Sequence, residues 1–398
     1  MNSEARRHFN TQFSEAKYSR FLTDLHDTYH YNIPFRVAET PLFIDAGFGR
    51  KLIDAAGEII DFIVKPGFKK LMEGALPEWL KVSNETTHTL FLALDFAICS
   101  DGNSGLVPRL IEMQGFPSLF GYQDFLGSKF REHYNIPANW NYHFGKTSEA
   151  YWSQLKRAII GNHNPEHVIL LEIEPYWQNT TIDFLITCQH LGTPLIHIGD
   201  VLVRGRKLYY KKEGVEIPIH RIYNRVIFDE LLQKKDLVTA FHLTEDVDVE
   251  WAGHPNWFFY ISKYTMPFLK SAAVPECRLL SNYTEFPDDL GNYVLKPLFS
   301  FSGSGVIFNV RREDIDNIPA SQHKNYLLQR KVHYKPVVQA PDGLVKAEVR
   351  LLYLWEDSAS RPELITNLAR LSRGEMIGVK YNKDKTWVGG TVCFFEDD

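Results

Sequence analysis

The segment Leu90–Cys99 is apolar at every position except Asp95. A short apolar run bounded by polar residues predicts a buried strand. A single carboxylate inside such a strand costs roughly several kcal/mol unless a cation or a metal accompanies it. The fold therefore has to supply Asp95 with a partner.

A second extended segment, Pro108–Phe116, follows the turn-forming linker DGNSGLV. If the two segments form a hairpin that turns at the middle of this linker, Glu112 lies opposite Asp95. Gln114, two residues further on, shares the face of Glu112. Two carboxylates and an amide oxygen form a hard-oxygen set that suits Mg²⁺. Alternatively, Asp95 caps a turn and Glu112 faces solvent.

Three patterns divide the rest of the chain. Helical spacing predominates in the first 85 residues, with a break at Pro66. Strand, helix and strand follow one another between His167 and Asp200, as in a βαβ unit of a small Rossmann-like domain. Extended segments dominate after about residue 258. These patterns predict an α+β fold with a helical N-terminal region. The predicted regions are 1–88, 89–160, 161–257 and 258–398.

The segment YVLKPLFSFSGSGVIF places Lys296 in an apolar strand and then continues into a loop of serine and glycine. The backbone N–H groups of such a loop can bind an anion. Lys296 can add a point charge to the same phosphate. The loop lacks the order of a P-loop, and a glycine-rich hairpin can equally be a plain turn.

Charged residues recur on later strands. Lys346, Glu348 and Arg350 alternate along one segment and therefore share a face, and Arg370 and Arg373 flank a serine. Each group taken alone is consistent with a solvated sheet face. Together they place several cations and oxygen ligands in one domain, as a nucleoside triphosphate requires.

The ordered set of segments resembles the ATP-grasp superfamily, in the circularly permuted arrangement of eukaryotic-type glutathione synthetase and glutathionylspermidine synthetase. LDF and LIEMQGFPSLFGY resemble the early metal-binding segment, and ISKYTMPFLK resembles the first lysine segment. YVLKPLFSFSGSGV resembles the lysine and glycine-rich loop, YLLQRKV the adenine-reading hinge strand, and NLARLSRGEMIGVKYNKDKTWVGGTV the closing substrate loop. The resemblance covers residues 89–398, with 161–257 as the pre-ATP-grasp domain.

The resemblance implies ATP and Mg²⁺ as cofactors and a role for each matched residue. It implies Mg²⁺ ligands at Asp95, Glu112 and Gln114. It implies ATP phosphate contacts at Lys263 and Lys296, with Ser302, Gly303, Ser304 and Gly305 covering the triphosphate. The implied adenine pocket contains Gln329, Lys331 and Val332, and Arg370 and Arg373 are the implied contacts of the acid substrate or acyl phosphate.

The chain also departs from the family pattern. The family has asparagine where this chain has Gln114, and it has an acidic residue just after the Lys-Pro segment, where LFSFSGSG has none. The segment GFPSLFGY does not match the serines and the acidic residue that bind the tripeptide in the family. Glutathione chemistry is therefore not expected to carry over unchanged.

The resemblance implies an ATP-dependent ligase that joins a carboxylate and an amine through an acyl phosphate. One alternative is a nucleotide-binding pseudoenzyme or regulatory protein, and another is a phosphotransferase. The segment HRIYNR either lines the amine side with Arg221, Tyr223 and Arg225 or forms salt bridges at a domain seam.

Composition limits the partners. The chain has 398 residues with 44 basic and 49 acidic residues, a net charge of −5, which argues against a general nucleic-acid binder. The four cysteines lie far apart, which argues against a disulfide framework or a cysteine zinc site. The N-terminus lacks the apolar run of a signal peptide, and the chain lacks an apolar stretch long enough to span a membrane. We expect a cytoplasmic protein with small-molecule substrates.

Overall fold

A computed structural model describes residues 3–299, 303–374, 377, 382 and 384–397. Its α-helices are α1 (Ser3–Gln12), α2 (Glu15–Thr28), α3 (Ala46–Ile63), α4 (Phe68–Met72), α5 (Phe120–His133), α6 (Ser148–Ile160), α7 (Thr181–Leu191), α8 (Phe228–Gln233), α9 (Trp257–Tyr260) and α10 (Arg312–Asp316). Its strands are β1 (Leu42–Ile44), β2 (Phe91–Ser100), β3 (Leu106–Gln114), β4 (Trp140–Asn141), β5 (Val168–Glu172), β6 (Leu195–His197), β7 (Leu202–Arg204), β8 (Lys207–Lys212), β9 (Val215–Ile219), β10 (Arg221–Asn224), β11 (Glu250–Ala252), β12 (Cys277–Leu279), β13 (Tyr293–Pro297), β14 (Ile307–Phe308), β15 (Tyr326–Arg330), β16 (Val338–Ala340), β17 (Gly343–Leu354), β18 (Glu363–Ser372), β19 (Gly389–Thr391) and β20 (Cys393–Glu396).

The largest sheet is antiparallel and has the order β19-β18-β17-β2-β3, with β16 beside β17. Strand β2 lies between β17 and β3 and is buried along all but its last residue. This central position explains its apolar sequence, because neither face of the strand meets water. The sheet therefore joins a segment near residue 100 to segments beyond residue 343.

A four-stranded parallel sheet has the order β11-β10-β5-β6. Helix α7 connects the parallel strands β5 and β6, which confirms the predicted strand, helix and strand. The helix ends at Gly192, whose φ of +74° lies in the left-handed region that favours glycine. A separate antiparallel meander, β7-β8-β9, follows β6 in the chain.

A second four-stranded sheet is antiparallel, with the order β12-β15-β13-β14. One face of it packs into its own apolar core around Tyr293, Leu295 and Leu328. Lys296 and Gln329, at alternate positions of the neighbouring strands, lie on the other face. That face is turned toward β3, where both side chains donate hydrogen bonds to backbone carbonyls.

The N-terminal region is mainly helical, as predicted, and α3 and α4 end and begin on either side of Pro66. It also contributes β1, which pairs with β20 in a three-stranded sheet completed by β4. Phe9, Phe21 and Leu25 are buried in the same apolar core as the large sheet. The described part of the N-terminal region therefore shares a core with the C-terminal strands, and the predicted domain boundaries stay a prediction.

The described elements form a mixed α and β fold with several sheets, consistent with the predicted α+β class. Within the described part of the chain, every helix is too short or too polar to cross a membrane.

Candidate functional site

Asp95 of β2 lies directly opposite Glu112 of β3, as the hairpin register predicts. The pairing depends on a bulge beside these residues, because Phe96 pairs with Leu110 and Ile111 is left over. The pairs nearer the turn are shifted by one residue from the predicted register. The bulge restores the predicted register and brings the Glu112 side chain onto the face of Asp95. Bulges often redirect a side chain in this way near functional sites.

The neighbouring strands place arginines beside these carboxylates. Arg350 of β17 lies opposite Asp95, and Arg370 of β18 lies opposite Glu348 of β17. Five charged side chains therefore lie together across four adjacent strands, and we call them the charged row: Glu112, Arg350, Asp95, Arg370 and Glu348.

Arg350 binds Asp95 through both of its carboxylate oxygens. Its Nε donates to Oδ1 and its Nη2 donates to Oδ2, each at 2.6 Å. The same Nη2 lies 3.6 Å from Oε1 of Glu112. A two-point pairing between guanidinium and carboxylate is among the strongest ionic contacts in proteins. The buried carboxylate thus has an arginine as its partner.

Arg370 extends the row in the other direction. Its Nη2 donates to Oδ2 of Asp95 at 2.9 Å and its Nε donates to Oε1 of Glu348 at 3.0 Å. The Tyr334 hydroxyl donates to the other Glu348 oxygen at 2.8 Å. Asp95 and Glu348 are buried, whereas the Arg370 side chain is 36% exposed. Arg370 is therefore the member of the row that solvent and small molecules reach most easily.

Two lysines approach the charged row from elements outside the large sheet. Lys263 begins a 3-10 helix, Lys263–Phe268, whose N-terminus is capped by Ser262. Its Nζ donates to the Leu298 carbonyl at 3.3 Å. Lys296 lies in β13 and donates to the Ile111 carbonyl at 3.0 Å. Both lysines are buried near Glu112, so the structure brings together the two residues predicted to contact phosphate.

The pKa shifts follow from this packing. Burial opposes ionisation of Glu112, but Lys263, Arg350 and Arg370 outweigh it and lower its pKa to about 2. Burial raises the pKa of Asp95 to about 6 against the attraction of Arg350 and Arg370. Burial also lowers the pKa of Lys296 to about 8, and Glu112 acts in the opposite direction. The lowered pKa of Glu112 keeps this carboxylate ionised at neutral pH.

The predicted adenine residues separate into two places. Lys331 and Val332 line an open cavity of about 270 Å³, together with Arg109 and Glu276. Gln329 is buried between the two sheets instead, where its Nε2 donates to the Leu110 carbonyl at 3.4 Å. Its Oε1 has no hydrogen-bond partner among the described residues.

The glycine-rich loop joins β13 to β14 beside Lys296. Gly303 and Gly305 each have a φ of +70°, and Ser304 is exposed. A Cβ atom on Gly305 would lie 2.9 Å from Cγ of Pro297, so this position excludes a side chain for two reasons. Ser302, the other predicted loop contact, lies outside the described residues.

Arg373 lies away from the charged row. Its guanidinium pairs with Asp342 in the turn before β17. The structure thus unites Arg370 with the site and places Arg373 in a different ion pair. Part of the predicted closing loop after Gly374, residues 375, 376, 378–381 and 383, lies outside the described residues.

In the HRIYNR segment, Arg221 forms a salt bridge, as one of the two alternatives predicts. Arg221 pairs with Glu250 and donates to the Ala158 and Ile159 carbonyls at the end of α6. Arg225 donates to the Pro117 carbonyl, and Tyr223 is buried. These contacts join the parallel sheet to neighbouring elements.

The donor set predicted for Mg²⁺ does not fit the ion at Asp95. Both Asp95 oxygens already bind Arg350, and Gln114 directs its Nε2 toward Glu112 at 2.8 Å. Among the residues the structure describes, no group of three or more His, Cys, Asp and Glu side chains is placed to hold a metal. Arg350 binds Asp95 at two points, whereas it contacts Glu112 through Nη2 alone.

Sequence reasoning placed Glu348 and Arg350 on one face but did not connect them to Asp95. Their alternation within a strand indicated the shared face, but the pairing of β17 with β2 was not predicted. Tyr334 was not identified, because it follows the hinge strand in a segment without periodicity.

No family model matches this chain, and no curated protein matches it. A solved structure of similar fold is a glutathione synthetase-like effector from Globodera pallida in its apo form. The two chains are 10% identical and align with a TM-score of 0.60, over 98% of this chain and 99% of the other. At this identity the likeness concerns the fold. The chain thus has a mixed α and β fold similar, over nearly its whole length, to that of a glutathione synthetase-like protein.

Proposed function

We propose that this chain is an ATP-dependent ligase that joins a carboxylate to an amine. The observation that carries the proposal is the convergence of Lys263 and Lys296 on the charged row. Together with the two arginines they present four cations to three carboxylates, a net charge of one positive unit in a buried setting. Such a site favours a polyanionic ligand, and the phosphate chain of ATP is one. The likeness to a glutathione synthetase-like fold supports the same class of reaction.

The proposed reaction has two steps. A substrate carboxylate oxygen attacks the γ-phosphorus of ATP, the bond from phosphorus to the bridging oxygen breaks, and ADP leaves with that electron pair. The amine then attacks the acyl carbon, phosphate leaves, and the nitrogen loses a proton to give the amide. Catalysis of phosphoryl transfer is mostly positioning and charge neutralisation.

The side chains divide this work. Lys263 and Lys296 bind phosphate oxygens and stabilise the charge that moves between them. Arg370, the exposed member of the charged row, binds the acid substrate through its guanidinium. Asp95 and Glu348 hold that guanidinium in place by accepting its hydrogen bonds. Arg350 contributes a fixed positive charge beside Glu112.

The proposal is tested by incubating the protein with ATP, magnesium chloride and panels of small carboxylic acids and amines. ADP release and amide product are measured together, because a phosphotransferase would release ADP and give a phosphorylated product instead. We expect continued ADP release over many turnovers only when an acid and an amine are both present, and its loss in Lys296→Met. Lys324→Ala, which removes an exposed lysine near the same sheet, should retain it. Phosphorylated product without amide would contradict the ligase.

A second candidate is a nucleotide-binding protein without turnover. The pairing of Asp95 with Arg350 favours it, because the predicted metal ligand is occupied by a protein cation. This candidate predicts that ATP binds while ADP release stays at the level of buffer across the whole panel. Amide formation from any acid and amine pair would contradict it.

A further inference from the structure

We propose that Arg350 is the resident cation of this site and replaces a divalent metal beside Asp95, so that ATP binds without Mg²⁺. The inference rests on the proposed binding of ATP between the lysines and the charged row. It concerns how the charge of the phosphate chain is balanced, and it holds for the ligase and for the non-catalytic binder alike.

The first argument is the position of the guanidinium. It binds both oxygens of Asp95 at 2.6 Å and lies 3.6 Å from Glu112. These are the two carboxylates that would flank a metal ion in the predicted donor set. One arginine therefore contacts both carboxylates of that set, and the position that a shared cation would take is filled by the protein.

The second argument is that Arg350 is held there. Its backbone lies in β17, paired on one side with Asp95 of β2 and on the other with Leu368 of β18. The side chain is 11% exposed and lies between carboxylates. A metal ion could reach Asp95 only if the guanidinium moved away and left a charged group without its partner in a buried setting, which is strongly unfavourable.

The third argument is charge. A guanidinium stays protonated in proteins at every ordinary pH, so Arg350 supplies a permanent positive charge. With Arg370, Lys263 and Lys296, it gives the site a positive excess without any ion from solution. A polyphosphate that enters this site meets cations that are already in place.

A purely structural salt bridge would predict something different. In that case Arg350 would stabilise the sheet, and ATP would still need Mg²⁺ for tight binding. The magnesium dependence of ATP affinity therefore separates the two roles, whereas loss of stability alone does not.

The experiment is calorimetric titration of the intact protein with ATP, in excess EDTA and in excess magnesium chloride. For wild type we expect dissociation constants that agree within about threefold between the two buffers. Arg350→Ala should bind ATP at least tenfold more weakly in EDTA and regain most of that loss with Mg²⁺, because Asp95 and Glu112 become available to the ion. Arg350→Lys, which keeps the charge and loses the two-point pairing, should lie between them.

Direct metal binding gives a second readout without nucleotide. Mn²⁺ titrated into the protein and followed by electron paramagnetic resonance should remain free with wild type and bind to Arg350→Ala. Because the wild-type comparison needs no variant, it decides the matter even if Arg350→Ala fails to fold. If wild type binds ATP at least tenfold more weakly in EDTA than in magnesium chloride, the inference is overturned and the proposed function is not. Failure of wild type to bind ATP in either buffer would overturn the proposed function and the inference with it.

Discussion

Asp95 shows how a single residue can determine the chemistry of its surroundings. The sequence indicates that this carboxylate needs a partner, but it does not distinguish a metal ion from an arginine. The structure gives Asp95 two arginines, with Arg350 at two points and Arg370 at one. The pairing with arginine compensates for the burial of the Asp95 carboxylate, and it also changes what the site can bind.

Removal of the carboxylate tests this pairing. Asp95→Ala leaves the Arg350 and Arg370 guanidinium groups without their shared anion, and breaking a buried ion pair from one side costs about 3–5 kcal/mol. We expect the free energy of unfolding in urea to fall by about that amount. Asp357→Ala, at an exposed position in the loop after β17, is the control and should change it by less than about 0.5 kcal/mol. Equal effects of the two substitutions would contradict the pairing.

Glu172 provides a pH test away from the site. This buried carboxyl at the end of β5 accepts a hydrogen bond from the Ile173 amide, and burial raises its pKa from 4.5 to about 8. Because the folded pKa lies above the unfolded one, the stability that this group contributes is fully present below about pH 4.5. It declines as pH rises and is lost above about pH 8.

Glu172→Gln removes this proton linkage and keeps the shape. We expect the variant to gain stability relative to wild type as pH rises from 5 to 8, by at most roughly 1.4 kcal/mol per pH unit. Urea unfolding at several pH values measures the difference. A constant difference between the two proteins over this range would show that Glu172 titrates normally in the fold.

At the scale of elements, features that depend on local sequence were predicted more completely than the pairing of strands that lie far apart in the chain. The strands at β2 and β3, the βαβ unit and the helix break at Pro66 all follow from periodicity and turn residues within short windows. The bulge at Ile111 could not be read from the turn, because it depends on how β3 meets its neighbours. It nevertheless decides which face Glu112 occupies.

The loop between β13 and β14 provides a prediction at this scale. Gly305 has a φ of +70°, and a Cβ atom there would meet Pro297. We expect Gly305→Ala to lower the free energy of unfolding by about 1–2 kcal/mol, the cost of a left-handed non-glycine residue. Gly291→Ala has open space around it and should be close to neutral. Urea unfolding of both variants measures the contrast, and an equal effect at the two positions would contradict the described loop.

At the scale of the whole molecule, the candidate site is assembled from segments that are far apart in the chain. Asp95 and Arg350 are separated by 255 residues, and Lys296 comes from a different sheet. Sequence reasoning identified Asp95, Glu112, Lys263, Lys296 and Arg370 one by one. The pairing of β17 with β2 determines which partner Asp95 has, and no local pattern encodes that pairing.

The structural role of the N-terminal region is also apparent only in the whole molecule. The first 85 residues carry no recognisable motif, yet β1 pairs with β20 and the helices share the core of the large sheet. Such a role depends on the complete fold, so composition alone could not reveal it. Likeness over nearly the full length of a glutathione synthetase-like protein agrees with one continuous architecture.

The central claim, that ATP binds between the lysines and the charged row, is tested most directly by thermal unfolding with and without ATP. A ligand at 100 times its dissociation constant stabilises the folded state by roughly 2.7 kcal/mol. We predict an upward shift of several degrees for wild type and for Lys324→Ala, and its loss in Lys296→Met. An unchanged melting temperature for wild type, or an equal shift in Lys296→Met, would contradict the account.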